Sequence, residues 1–337
     1  MTKKKILIVG PAWIGDMVMA QSLFKVLHQR GCIIDVVAPP WSFVPLKRMP
    51  EVRTAIPLDV PRGKLQLKKR YQLAKELRKE SYDQAITLPN SFKSALLPFW
   101  AKIPQRTGWR GEMRWGLLND LRLLDKEKYS RMVERFVALA YDKGEAWDKH
   151  KFPYPRLAVD QQSLAKLLEK LELKPQEKPV LALCPGAAFG ETKRWPSEYF
   201  AELAKKMLAQ GWQVWLFGGP GEHAIAEAIQ KLSGGGCINL IGRAPLDDTI
   251  DLFSVVKTVV ANDSGLMHLA CAVDCSVVAI YGSTLPDFAP PLSEQAEMLS
   301  IDIDCRPCKK RVCPLVHLKC LRDLKPTRVA AAIEALN

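Results

Sequence analysis

Long apolar runs are missing from this 337-residue chain. No stretch approaches the ~18 apolar residues of a membrane-spanning helix, which excludes a helical membrane protein. Internal repeats and low-complexity tracts are missing too, excluding solenoid and collagen-like architectures. With 48% apolar residues, the composition is also too rich in core-forming side chains for a disordered chain. Nine cysteines make an odd number without a secreted framework, so a disulfide mini-protein is excluded. The dinucleotide fingerprint G-x-G-x-x-G is absent: Gly10 and Gly15 stand five apart in the first glycine-bearing turn, which disfavours an NAD-dependent oxidoreductase. No DNA-recognition or RNA-binding signature accompanies the basic residues, so no nucleic-acid partner is expected. The basic start and apolar run of residues 1–20 invite comparison with a signal peptide. Asp16 interrupts that run, and Ile6–Gly10 reads as a first strand, so a cytoplasmic start is expected.

Acidic residues are scarce in one half only. Residues 1–150 hold 28 Lys+Arg and 15 Asp+Glu, whereas residues 151–337 hold 21 of each. The net charge of +13 therefore sits entirely in the first half. Such a surplus fits an anionic partner, or simply a basic surface.

Short apolar runs alternate with segments of helical period, the pattern of α/β units around buried parallel sheets. In the first half, strands are predicted at Lys5–Gly10, Ile33–Ala38, Gln84–Leu88 and Pro104–Trp109. Helices are predicted at Asp16–Gln29, Leu67–Lys79, Ser91–Ala101 and Arg131–Asp142. Trp147–Pro155 has the mixed polarity and prolines of a linker, and a polar helix follows at Gln161–Leu171. The second half restarts with strands at Val180–Cys184, Gln213–Phe217, Ile238–Ile241, Val259–Ala261 and Val277–Tyr281, and helices at Ser197–Gln210, Glu222–Leu232 and Leu266–Ala272. The expected architecture is α/β, with two Rossmann-like domains facing across a cleft, spanning 1–160 and 175–320. Residues 321–337 form a terminal helix that could pack back on the first domain.

Several strand-end loops carry candidate chemistry. Asp16 at the start of the first helix either caps free N–H groups or faces a ligand as a general base. Asn262-Asp263-Ser264-Gly265 joins a strand to a helix. It reads as an N-cap or as an anion site built from N–H groups, the Ser264 hydroxyl and close approach at Gly265. Lys193 and Arg194 follow another strand and could neutralise phosphates, while Glu222 after Gly218-Gly219-Pro220-Gly221 suits a ribose hydroxyl. Together these loops suggest a nucleotide-diphosphate site. In the basic half, Leu88–Leu96 and Arg106–Arg114 interleave cations, aromatics and polar groups, as an anionic carbohydrate would require. Cys305, Cys308, Cys313 and Cys320 fall within sixteen residues. They could hold a structural zinc, form a disulfide or stay reduced.

The blocks Gly10–Met17, Leu88–Ala95, Arg106–Glu112, Leu117–Asp120, Cys184–Ala187, Lys193–Pro196, Asn262–His268 and Pro286–Phe288 resemble those of the heptosyltransferases of glycosyltransferase family 9. They run in order over most of the chain. The resemblance implies a GT-B fold and an inverting enzyme. It would move L-glycero-D-manno-heptose from ADP-heptose onto the first heptose of the lipopolysaccharide inner core, heptosyl-Kdo2-lipid A. The alternative is a family member with a different acceptor. No cofactor or catalytic metal is implied. Asp16 matches the proposed base. Lys193, Arg194, Glu222, Asp263, Ser264, Gly265 and His268 would meet the donor, His268 alternatively being only a packed histidine. Lys64, Lys68, Asn90, Lys93, Arg106, Arg110 and Arg114 would meet the acceptor. The first domain is then the acceptor side and the second the ADP-heptose side. A cytoplasmic enzyme in peripheral contact with the anionic inner membrane face is expected.

Overall fold

A computed structural model describes residues 3–61 and 63–336. The chain divides into two compact units, 1–155 and 156–337. The division falls at the end of the proline-bearing stretch, and the polar helix left between the two expected domains opens the second unit.

The first unit holds β1 (Lys5–Val9), α1 (Ile14–Gln29), β2 (Ile33–Ala38), α2 (Phe43–Lys47), β3 (Val52–Pro57) and α3 (Leu67–Leu77). It continues with β4 (Gln84–Thr87), α4 (Phe92–Trp100), β5 (Gln105–Trp109), β6 (Asp120–Arg122) and α5 (Met132–Val137). Its six strands are all parallel, in the order β3-β2-β1-β4-β5-β6. The central strands β1 and β4 are almost wholly buried, as continuous apolar runs flanked by helices on both faces must be. Leu7, Val9, Val37, Ala85 and Leu97 share one core cluster, each large aliphatic side chain contributing about 1.5–3 kcal/mol on burial.

The second unit holds α6 (Gln161–Lys170), β7 (Val180–Cys184), α7 (Ser197–Ala209), β8 (Gln213–Leu216), α8 (His223–Ser233), β9 (Ile238–Asn239) and α9 (Leu246–Phe253). Then come β10 (Thr258–Asn262), α10 (Gly265–Ala272), β11 (Ser276–Ile280), β12 (Ala296–Leu299), α11 (Lys319–Arg322) and α12 (Pro326–Ala335). Its parallel sheet runs β12-β11-β10-β7-β8-β9, the same winding as the first read from the other edge. Asp160 caps α6 by accepting from the backbone N–H groups of Gln162 and Ser163 at 3.0 Å each.

Val329, Ala330 and Ile333 of α12 are buried in the cluster that holds Phe200, Met207 and Leu321. This apolar face of the terminal helix thus completes the core of its own unit.

Candidate active site

In each sheet the winding reverses between two neighbouring strands: β1 and β4 in the first, β7 and β10 in the second. Beyond the carboxyl ends of such strands the two following loops diverge and leave a crevice, the usual ligand site of open α/β sheets. Asp16, Asn90 and Lys93 follow β1 and β4. Lys193, Arg194, Asp263, Ser264 and Gly265 follow β7 and β10.

In the first unit, the loop after β1 is held from two sides. Gly10 N–H donates to Val37 O at 2.8 Å, and the Trp41 indole N–H donates to Ala12 O at 2.9 Å. A side chain at Gly10 would meet the Met17 methyl at 2.9 Å and Val36 at 3.1 Å, so the loop packs tightly against β2 and α1. Helix α1 begins at Ile14, earlier than predicted, with Trp13 as N-cap and no side-chain cap bond. Asp16 stands half-buried in the first turn, at the end of the helix that carries a partial positive charge.

The loops after β4 and β5 interlock. Glu112 N–H donates to Asn90 O at 3.1 Å, and the Glu112 carboxylate accepts from Phe92 N–H at 2.7 Å, closing the start of α4. Two expected acceptor residues prove to be part of this frame. Arg114 is 1% exposed. Its guanidinium donates to Pro89 O at 2.8 Å, to the Asn90 amide oxygen at 3.0 Å and to Trp109 O. Burial lowers its pKa to about 10. Arg106 donates to Leu117 O and Ile103 O, each at 2.7 Å, from the amino-terminal end of β5. Both cations organise backbone because buried carbonyls needed donors, and neither reaches the carboxyl-end crevice as a free charge. Arg110 is exposed and stacks on Trp115 at 5.5 Å, and Lys93 lies half-buried in the first turn of α4. Lys64 and Lys68 are exposed but belong to the segment after β3, two strands from the reversal.

In the second unit the candidates converge. The Lys193 ammonium lies 2.5 Å from the Asp263 carboxylate, which also accepts from the Thr284 hydroxyl at 2.6 Å. Ser264 is the N-cap of α10, yet its side chain makes no cap bond. Its hydroxyl oxygen is buried without a partner among the described residues, a cost of about 1–3 kcal/mol that an incoming anion would remove. His268, one turn on, is buried. Its pKa falls to about 4, mainly through burial; Asp263 opposes the shift and Lys193 adds to it. It is a neutral, packed histidine beneath the ion pair. The Arg194 guanidinium donates to Ala187 O at 3.1 Å and so shapes the loop. Glu222 accepts from Gly219 N–H at 2.8 Å, and its carboxylate occupies the space that side chains at Gly186 and Gly218 would take. Those glycines bring two strand-end loops onto one acid.

The sequence placed Asn262 in the strand-end motif Asn262-Asp263-Ser264-Gly265 but gave it no role of its own. Fully buried at the end of β10, it accepts from Trp195 N–H at 3.0 Å and donates to Pro185 O at 2.7 Å. It thereby clamps both ends of the loop bearing Lys193. Its place beside Asp263 was the only signal. The four tail cysteines are free thiols. Among the described residues no group of three or more His, Cys, Asp or Glu is arranged to hold a metal ion. Cys320 is pushed up to about 11 by burial, with Cys305, Cys308 and Cys313 adding to the rise. A separate cavity of about 180 Å³ lined by Lys4, Arg30, Cys32, Gln84 and Tyr141 touches the amino ends of β1 and β4. Its Arg30 is committed to Glu145 and Ala140 O, so it lacks the free chemistry of the carboxyl-end crevices.

The family model for "Glycosyltransferase family 9 (heptosyltransferase)" matches residues 70–319. The chain is 45% identical to lipopolysaccharide heptosyltransferase 2 of Escherichia coli K12, over 98% of each chain. It is 44% identical to lipooligosaccharide heptosyltransferase 2 of Haemophilus influenzae, over 88% of each. Among solved structures, the E. coli ADP-heptose lipopolysaccharide heptosyltransferase II superposes with a TM-score of 0.86 at 43% identity, over 98% of both chains. The two-domain α/β fold matches that GT-B structure.

Proposed function

The chain belongs to glycosyltransferase family 9, the heptosyltransferases, and from that premise we propose that it transfers L-glycero-D-manno-heptose from ADP-heptose onto the first heptose of the lipopolysaccharide inner core. The observation that carries this reading is 45% identity over 98% of each chain to an enzyme named lipopolysaccharide heptosyltransferase 2. The second unit is the donor side. Lys193 and the α10 N-terminus take the diphosphate, with the unpartnered Ser264 hydroxyl supplying a ready donor. Asp263, already paired with Lys193, keeps the ammonium in place until the anion arrives. Glu222 meets the adenosine ribose.

The first unit is the acceptor side. Asp16 accepts the proton of the acceptor hydroxyl as that oxygen attacks the anomeric carbon, opposite the diphosphate. The bond from anomeric carbon to phosphate oxygen breaks, its electron pair leaves with ADP, and configuration inverts. Lys193 and the helix N-terminus stabilise the charge that develops on ADP, which is where preorganised donors act most strongly. No resident cofactor takes part. Arg110, Lys93 and Asn90 are the acceptor contacts best placed at the β4–β5 loops. The basic unit also suits a peripheral enzyme at an anionic membrane face; among the described residues no helix is long and apolar enough to cross a membrane.

The test is ADP release from ADP-heptose with purified heptosyl-Kdo2-lipid A and no added divalent metal. Transfer only to an acceptor lacking the first heptose would assign the chain to a different step of the same family.

A further inference from the structure

The segment bearing the cysteines lies against the donor loop. Lys309 N–H donates to Ser283 O at 2.9 Å, the Thr192 hydroxyl donates to Lys310 O, and Cys313 N–H donates to the Glu191 carboxylate at 3.1 Å. Gly190, at φ 154°, has no room for a side chain: a Cβ would meet Arg311 O at 2.5 Å. These contacts pin residues 309–313 directly beside Glu191–Lys193.

The pinning delivers one side chain. Arg311 stacks on the Phe189 ring at 5.5 Å, and Lys193 stacks on the same ring at 5.1 Å. Two cations on one aromatic ring repel each other unless an anion lies between or beside them. Asp263 neutralises Lys193. Arg311 is exposed and makes no ion pair with any carboxylate among the described residues. Arg306, in the same segment, differs: its guanidinium is spent on Gly282 O at 2.6 Å and Thr284 O at 2.9 Å. Arg306 therefore builds the segment; Lys309, Lys310 and Arg311 are exposed on it, and Arg311 is the one that stacks on the Phe189 ring with Lys193.

We propose that Arg311 is a further donor-binding residue, a planar two-pronged cation for the diphosphate of the nucleoside diphosphate sugar, carried to the Phe189–Lys193 edge of the donor site by the cysteine-bearing segment. The inference rests on the donor side being the Lys193–Ser264 site. A guanidinium suits the role because it can meet two phosphate oxygens at once, whereas an ammonium offers a point charge.

Calorimetric titration of ADP into the full-length protein tests this, with adenosine as the phosphate-free control. Arg311→Ala is expected to weaken ADP binding about tenfold, the loss typical of a charge-assisted hydrogen bond. Arg311→Lys is expected to recover only part, with adenosine binding and the thermal midpoint unchanged because Arg311 is exposed and its segment is held by backbone contacts. ADP affinity in Arg311→Ala within about twofold of the unsubstituted protein, while Lys193→Ala is weakened, would overturn the Arg311 role alone. Failure of the unsubstituted protein to bind ADP, or indifference of ADP binding to Lys193→Ala, would instead overturn the donor-site reading.

Discussion

Replacing Asp16 by asparagine keeps its size and its place in the first turn of α1 but removes the basic oxygen. If Asp16 takes the acceptor proton, turnover should fall by roughly 10²–10⁴, the usual worth of a positioned general base, while ADP affinity stays the same; full turnover in Asp16→Asn would remove it from the chemistry. His268 makes a different prediction. Its folded pKa of about 4 lies below the ordinary 6.5, so between those values the unfolded chain binds a proton that the folded chain does not. Its contribution to stability is therefore complete above pH 6.5 and lost as pH falls toward 4, about 2 kcal/mol between pH 7 and pH 5. Urea unfolding at both pH values should show a shallower loss for His268→Gln than for the unsubstituted chain. Residues at strand ends were legible in the sequence because glycine, carboxylate and hydroxyl side chains cluster there for few other reasons. That Arg106 and Arg114 spend their guanidinium groups on backbone carbonyls was not legible, because a cation's destination, solvent or a buried carbonyl, depends on which loop folds over it. The clamping role of Asn262 was hidden for the same reason: its two partners, Trp195 and Pro185, lie far from it in the chain and meet it only across the β7–β10 pair.

The Lys193 loop is long and joins β7 to α7, and the Asn262 side chain is what ties its two ends to β10. Asn262→Ala leaves the Trp195 N–H and the Pro185 carbonyl without their partner inside the core. The expected cost is about 3 kcal/mol, read as a lower denaturation midpoint at unchanged slope. A raised KM for ADP-heptose should accompany it because Lys193 is no longer held; unchanged KM in a destabilised protein would make the clamp purely structural. Elements buried on both faces, such as β1, β7 and β10, were readable as unbroken apolar runs. Elements that left no such signal include the edge strands β3, β6 and β12, the short helices α2 and α11, and α9, whose Ile250, Leu252 and Phe253 are buried but whose eight residues are too few to show a helical period. β3 buries no residue fully, and β12 buries only Leu299 fully. Where one side of a strand faces water, no apolar run forms to announce it. The terminal helix could be predicted as a helix, but its packing against Phe200 and Met207 of α7 is a tertiary contact that no local pattern records.

The two units share one winding and differ in charge, and that difference separates how each should hold its ligand. In the second unit the diphosphate would meet a few groups at short range: Lys193, whose side chain is 15% exposed in its ion pair, and the α10 N-terminus. Charges so placed are screened little by salt. In the first unit the net charge of +13 over residues 1–150 is spread over exposed lysines and arginines, with Arg106 and Arg114 withdrawn into the frame. Attraction of a phosphorylated glycolipid then depends on the summed field, which decays over a Debye length of about 10 Å at 0.1 M salt and about 3 Å at 1 M. Raising sodium chloride from about 0.1 M to about 1 M should therefore raise KM for heptosyl-Kdo2-lipid A several-fold while KM for ADP-heptose changes by less than about twofold. Initial rates measured with each substrate varied in turn decide it. Equal salt dependence for both would mean that the lopsided charge serves solubility or general surface attraction and has no particular bearing on the acceptor. Dependence confined to the acceptor would tie the charge asymmetry, the first property to divide this sequence into halves, to the division of labour between its two sheets.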